Sequence, residues 1–404
     1  MVAWLTRAFG PAHVQLAEEV VQDALVKALQ QWPHTGVPDN PSAWLMRVAR
    51  NGAIDVLRRH KAFRERARDV EASLARPPGS RPLDGAAGAV GDDELRMIFM
   101  CCHPSLTPET RVALSLQLAC GFNAREIGRA LLTAEPAIAQ RLVRAKRTLR
   151  DSGVSLDMPD KHDLQARLAS VLEVIYLMFN EGYASAGADL IREDLCREAL
   201  RLGRALAANP LTATPATHAL VALIALQSSR LAARLDDAGN LVRLEEQDRS
   251  RWDQRLVALG FHHFAAASTG DAMSPYHPQA AIAALHAGAE SAADTPWPAI
   301  LARYDELMAL APSSVVALNR AIAVARVHGA PAALDALAPL EDAPELHRYH
   351  LYWSTRAQLL EEAGDVTRAR DCYARALSCP CSEGERRFLQ RRAERTAAAR
   401  HTIQ

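Results

Sequence analysis

The sequence predicts an all-α protein: two small helical domains joined by a flexible linker, followed by a longer helical domain built on a repeat. Three observations predict it. Apolar residues recur at helical spacing through most of the chain, and 49% of residues are hydrophobic while only 5% are aromatic, as in Ala-, Leu- and Arg-rich helices. At 404 residues the chain exceeds one ordinary core, so two or three domains are expected. Residues 75–91, ARPPGSRPLDGAAGAVG, offer almost no large apolar side chain and mark the clearest boundary.

The elements follow in order. Val14, Ala17, Val20, Val21, Ala24, Leu25, Ala28 and Leu29 form one helical stripe over residues 14–31, which Pro33, Gly36, Pro38 and Pro41 then break. Trp44, Leu45, Val48, Ile54, Val56 and Leu57 supply the apolar side of a second helix, residues 44–59. These helices define a first domain at 1–70, with the linker at 71–91. The second domain spans 92–155. Thr107 and Pro108 read as N-cap and first helical residue of a helix over 109–120, which Gly121 stops. A short helix over 124–131 follows, and Thr133 is expected to cap the last one, 135–149. That succession is a helix-turn-helix.

Residues 161–290 read as a helical extension and 291–400 as repeats. Trp353, Ala357, Leu360, Gly364, Ala369, Tyr373 and Ala376 fall on tetratricopeptide spacing, with Pro380 one place early. Gly329 precedes Gly364 by about one ~34-residue period, and Tyr304, Leu307 and Pro312 suit an earlier unit. Such helix pairs bury their small residues only by stacking, and their concave face offers a groove for a protein or peptide partner.

Charge segregation points to function. Lysines and arginines number 47, as do aspartates and glutamates. Between residues 41 and 68, however, eight basic residues face only Asp55 and Glu65, and between 124 and 150 seven face only Glu126 and Glu135. Two basic segments set against an acidic remainder suit a protein that meets phosphate at two places. In the second helix of the helix-turn-helix, Gln140, Arg141 and Arg144 share a face. Glutamine can read adenine and arginine guanine, while Lys146 and Arg147 suit phosphate. In the upstream helix Arg47, Asn51 and Arg58 share a face, with Arg50, Asp55 and Arg59 beside it. Trp44 is a core anchor or, on the other reading, a platform for an unstacked base.

Other chemistries find little support. Seven scattered cysteines lack a paired CxxC, which argues against a disulfide framework or a zinc site, and Cys101-Cys102-His103 has no second ligand pair. No phosphate-binding glycine loop or nucleophile–base set stands out, so no enzyme, metal or cofactor is expected. His262-His263, His347 and His350 read as surface or core residues. The first residues lack a secretory signal, and the longest apolar run, residues 219–226, is far below the ~20 needed to span a bilayer. A soluble, cytoplasmic protein with no membrane contact is expected.

The ordered pair VVQDALVKALQQWP…NPSAWLMRVARNGAIDVLRR and DDELRMIFMCCHPSLTPETRVALSLQLACGFNAREIGRALLTAEPAIAQRLVRAKRTLR resembles regions 2 and 4 of extracytoplasmic-function sigma factors, within the sigma-70 family. VLEVIYLMFNEGYAS, DLCREALRLGR and LEEQDRSRWD resemble the subgroup with a tetratricopeptide-like C-terminal extension. The resemblance implies that the chain binds core RNA polymerase and promoter DNA. Val20, Gln22, Asp23 and Lys27 would meet the β′ clamp helices, and region 4 the β flap. Trp44, Arg47, Asn51, Asp55, Arg58 and Arg59 would lie at the downstream promoter element. Glu135, Ala139, Gln140, Arg141, Arg144, Lys146 and Arg147 would read the upstream element. Asn180, Glu181 and Tyr183 would face region 4 or a regulator, unless FNEGY is a plain helix stop capped by Gly182. Such factors usually carry a further helix ahead of the segment that here starts at Val14, so a shortened first helix or a misassigned start codon is expected. The rival readings are a helix-turn-helix regulator acting without polymerase and a repeat scaffold whose basic helices are ordinary surface.

Overall fold

Helix is the regular secondary structure of the described residues. The computed structural model describes residues 1–71, 90–131, 133–151, 161–184, 191–269 and 272–398, and among these the pairing of Leu235 with Leu241 is an isolated bridge rather than a strand. The linker expected at 71–91 lies almost wholly outside the described residues. The chain divides into two compact units, Met1–Val174 and Ile175–Gln404.

The first unit opens with α1 (Val2–Phe9), a 3-10 turn at Pro11–His13, α2 (Val14–Thr35) and α3 (Pro41–Glu71). A helix therefore does precede Val14, and its Leu5 is fully buried against Ala17, Val20, Ala24, Ala49 and Ala53. The many alanines in this core let α2 and α3 approach closely. Helix α2 continues through Pro33 rather than stopping before it. A proline in the last turn forfeits a single backbone bond, and the helix ends instead at Gly36 (φ 82°), whose N–H reaches the Trp32 carbonyl at 2.9 Å. Helix α3 begins where Asn40 Oδ1 accepts the Ala43 N–H at 3.0 Å, with Pro41 in its first turn, and runs well beyond residue 59.

Helices α4 (Val90–Cys101), α5 (Pro108–Leu118), α6 (Ala124–Ala130) and α7 (Glu135–Asp151) complete the helix-turn-helix region, and α8 (Lys161–Tyr183) follows. Asn123 and Glu126 form a capping box at the start of α6. Thr133 does not cap α7. Its hydroxyl turns back to the Leu131 carbonyl at 3.0 Å, its N–H is spent on the Gly128 carbonyl at 2.7 Å, and α7 starts two residues later. Thr107 likewise makes no side-chain cap bond, its hydroxyl pairing with that of Thr110 at 2.9 Å. The first half of α8 buries Leu164, Leu168, Val171 and Leu172, and Arg167 donates to the Phe99 carbonyl at 3.3 Å. The division between units thus falls inside α8, beyond the boundary expected at 155–161.

The second unit comprises α9 (Glu193–Ala208), α10 (Pro215–Ser228), α11 (Gln254–Ala267), α12 (Tyr276–Gly288), α13 (Trp297–Leu310), α14 (Ser314–His328), α15 (Ala330–Leu337), the single turn α16 (Pro344–His347), α17 (His350–Glu362), α18 (Val366–Ser378) and α19 (Glu383–Ala398). Helix α10 is buried on every side from Ala219 to Leu226, packed by α9, α11 and α12, which explains its unbroken apolar run. Trp353, Ala357, Leu360, Ala369, Tyr373 and Ala376 all enter one core shared by α14, α15, α17, α18 and α19. Gly329 and Gly364 turn the chain at φ 88° and 84° between successive helices of that core.

Candidate nucleic-acid interface

Helix α7 buries Ile138, Leu142, Ala145 and Leu149, a strict helical stripe. The opposite side exposes Glu135, Ala139, Gln140, Arg144 and Arg147. Arg144 reaches Gln140 Oε1 at 3.4 Å, one turn away. Arg141 is half-buried, and with Gln140 and Arg144 it borders a groove of about 460 Å³ whose far wall is Ser105, Thr107 and Thr110 at the start of α5. Three long donors thus converge on a shallow channel floored by small polar residues, which suits a phosphate strand and adjacent base edges. Glu135 sits at the helix start and pairs with Arg125 at 3.3 Å. Val143, 71% exposed on the same side, was missed by the sequence reading. It counts as apolar by type, and only its position outside the buried stripe reveals a side chain able to meet a thymine methyl.

The angle of α7 is set by Gly128. A Cβ there would stand 2.6 Å from the Thr133 carbonyl oxygen, so the turn closes against α6 only because the side chain is absent. One expected reader is turned away from this face. Lys146 Nζ lies 2.6 Å from Glu18 of α2, and both side chains are largely covered. Arg7 of α1 likewise meets the buried carboxylate of Asp93 on α4 at 2.6 Å. The two helical subdomains of the first unit are therefore pinned by two ion pairs, one of which occupies a residue expected at phosphate.

On α3 Arg47, Arg50, Asn51, Asp55 and Arg58 are exposed, placed mostly at three- and four-residue intervals along the helix. The Arg59 side chain lies outside the described residues. Trp44 is half-buried, its ring edge-on to Trp32 with centroids 5.5 Å apart, which favours the anchor role.

On α2 Gln22, Asp23 and Lys27 are exposed, but Val20 is not: it is 4% exposed, inside the core. It can only support that face from beneath. Leu25, Val26 and Leu29 take its place at the surface, 45%, 51% and 77% exposed. The expected stripe had placed Leu25 and Leu29 inside. Because the α2 core is built of small residues at every third or fourth position, the larger side chains beside it remain outside. An apolar cluster ringed by Gln22, Asp23 and Lys27 is the composition of a protein-docking surface.

The FNEGY segment is the last turn of α8, in the second unit. Gly182 is not a left-handed cap. A Cβ there would meet the Cys196 N and Sγ and the Leu195 Cβ, each at 2.9 Å, so this glycine permits close contact with α9. Glu181 is buried and Asn180 half-buried. Tyr183 is engaged within its own unit: Arg234 lies over its ring at 3.9 Å and bonds its carbonyl, and Arg230 bonds its hydroxyl. Neither arginine stood out in the sequence. Burial pushes the Cys102 thiol up to about 12 and the Cys101 thiol higher than usual, so both stay protonated. Among the described residues no group of three or more His, Cys, Asp or Glu side chains could hold a metal ion, and no helix is long and apolar enough to cross a membrane.

Residues 2–63 match the family described as sigma-70 region 2, and residues 167–268 match a family of unknown function, DUF6596. The first match covers α1, α2 and α3 as far as residue 63, and the second runs from within α8 through α11. An uncharacterized protein of Rhizobium meliloti is 39% identical over 397 residues, 97% of this chain and 92% of that protein. The probable ECF RNA polymerase sigma factor SigI of Mycobacterium tuberculosis is 24% identical over 52% of this chain and 77% of its own length. The probable RNA polymerase sigma factor RfaY of Xanthomonas campestris is 27% identical over 34% of each chain. No solved structure matches.

Proposed function

We propose that this chain, which belongs to one family with the Rhizobium meliloti protein and is a sigma-70 family RNA polymerase sigma factor, is an extracytoplasmic-function factor controlled in cis by its C-terminal helical unit. It performs no chemistry itself. It recruits core polymerase in the cytoplasm and directs initiation at a bipartite promoter. The observation that carries this reading is one compact unit with three exposed surfaces of distinct chemistry: the apolar cluster on α2, the basic face of α3 and the basic groove of α7.

In this reading Leu25, Val26 and Leu29, framed by Gln22, Asp23 and Lys27, dock on the β′ clamp helices, while the helix-turn-helix region sits at the β flap. Arg47, Asn51, Asp55, Arg58 and Arg59 lie at the downstream element, with Trp44 holding α3 in place. Gln140, Arg141 and Arg144, joined by Ala139 and Val143, read the upstream element in duplex form, while Glu135 fixes the helix start and Arg147 meets phosphate. Lys146 joins them once its pair with Glu18 opens. Two modest contacts on one chain reinforce each other on correctly spaced DNA through effective concentration.

The tetratricopeptide-like unit gates access to the basic helices, with Asn180, Glu181 and Tyr183 part of that control. Its groove takes a protein or peptide partner. Run-off transcription with core polymerase on a genomic promoter library tests the reading. Defined start sites should appear, and Arg141→Ala with Arg144→Ala should abolish them without loss of folding. Core binding with no initiation at any fragment would overturn it.

A further inference from the structure

The second unit encloses a cavity of about 310 Å³ between α12, α13, α14 and α17, apart from the surfaces assigned above. That volume is at the lower end of the ~300–1,000 Å³ typical of small-molecule sites. Trp297 and Tyr304 supply flat apolar walls, while Arg243 and Arg249 reach it from the connection between α10 and α11, and Arg326 from α14. Three guanidinium groups and a neutral imidazole thus line the cavity with two carboxylates, those of Glu245 and Glu362, and Glu246 pairs with Arg243 beside it.

The arginines are held in place rather than loosely exposed. Arg249 gives Nη1 to the carbonyls of His286 and Ala289, at 2.6 and 2.7 Å, and stacks over Trp252 at 4.8 Å. Asp294 acts on its charge from nearby, no ion pair closes on it among the described contacts, and its side chain borders the cavity. Arg326 stands 5.7 Å from the Trp297 ring and pairs with Glu245 at the rim. Arg243 is oriented by Glu246 at 2.8 Å and by Gln358 at 3.4 Å. His286 closes one side, edge-on to Trp297 at 5.4 Å, and is neutral: burial, then Arg230 and Arg249, push it down to about 4.

We infer that this cavity binds a small organic anion: a carboxylate or phosphate on a flat, apolar body. Guanidinium groups at fixed angles recognise such oxyanions through paired charged hydrogen bonds. The aromatic walls supply the apolar area for the body, and Asn319 and Thr355 add neutral polar groups beside it. The ligand would give this unit a chemical input. The inference stands whether or not the chain directs transcription, since it is read by binding alone.

Isothermal titration of the full chain with indole-3-acetate and with phenyl phosphate tests it and distinguishes the two oxyanions. One of them should bind one per chain with Kd below about 1 mM. Uncharged indole-3-acetamide should bind at least about tenfold more weakly. Arg326→Gln should weaken the anion by a similar factor with an unchanged melting curve. Arg243→Gln provides a second, independent variant should the first fail to fold. Affinity weaker than about 1 mM for both anions, equal binding of the amide, or full affinity in both folded variants would each overturn the proposal.

Discussion

Replacing Gly128 by alanine sets two physical effects against each other at the turn that aims α7. Alanine favours helix over glycine by ~1 kcal/mol, and Gly128 lies within α6. The added methyl, however, stands 2.6 Å from the Thr133 carbonyl oxygen, against ordinary contact at 3.4 Å or more. The opposing atoms belong to the backbone, with the Glu135 N and Cα next at 3.5 and 3.7 Å. No rotamer relieves the clash. Overpacking of this kind costs ~1–3 kcal/mol. Moving the turn also strains the 2.7 Å bond from the Thr133 N–H to the Gly128 carbonyl, worth ~1 kcal/mol. The balance is a loss of roughly 1–3 kcal/mol. Urea titration followed by circular dichroism should show an earlier first transition, and fluorescence anisotropy should show at least about tenfold weaker binding to upstream-element duplex, since a re-aimed α7 misplaces its readers. A variant as stable as the parent, or more so, would refute the steric argument and show that helix propensity prevails.

Other predictions address other surfaces. Leu29→Asp should leave the melting temperature nearly unchanged, because the side chain is 77% exposed, yet weaken core polymerase binding at least about tenfold in a pull-down titration. Glu18→Gln should free Lys146 and raise the affinity of the whole chain for promoter duplex several-fold by anisotropy; unchanged affinity would remove Lys146 from the DNA face. His286 and His263 are held near 4 in the fold, mainly by burial, against an ordinary 6.5. The unfolded chain binds their protons first, so stability falls as pH drops from 6.5 to 4 and the loss is complete below that. Each contributes roughly 1–2 kcal/mol after solvent screening. The difference in melting temperature between the parent and His286→Gln should therefore shift between pH 7.5 and 5; a constant difference would exclude this linkage.

The sequence was most legible where one physical rule acted alone. The buried stripe of α7 obeys helical periodicity, and the tetratricopeptide-spaced residues from Trp353 to Ala376, other than the turn residue Gly364, reach one core. Errors arose where two rules competed. Leu25 and Leu29 are apolar by type, but a core of four alanines filled by Leu5 and Val20 draws α2 close to its neighbours and leaves these larger side chains outside. Val20, expected at a partner surface, is consumed by that same core. Pro33 reads as a stop, though a proline in the final turn removes little. Thr133 has the right chemistry for a cap, but the tight turn at Gly128 claims its N–H before α7 begins. Long-range pairings were beyond reach. Nothing near Lys146 in sequence predicts Glu18, and Tyr183 gives no local sign of Arg230 and Arg234, which come from the segment after α10.

The Glu18–Lys146 contact also alters the thermodynamics of DNA binding. A lysine in water that meets a DNA phosphate releases a condensed counterion, and that release makes affinity depend on salt. Lys146 already carries a tethered counterion, supplied by the protein itself. Its meeting with phosphate exchanges one anion for another and leaves a carboxylate to be rehydrated. Contact with phosphate still releases the cation condensed on the DNA, so the salt dependence is kept, while separating Lys146 from Glu18 costs affinity. Glu18 acts as a fixed ion that dilution cannot remove, so the closed first unit keeps part of its resistance to DNA even at low ionic strength.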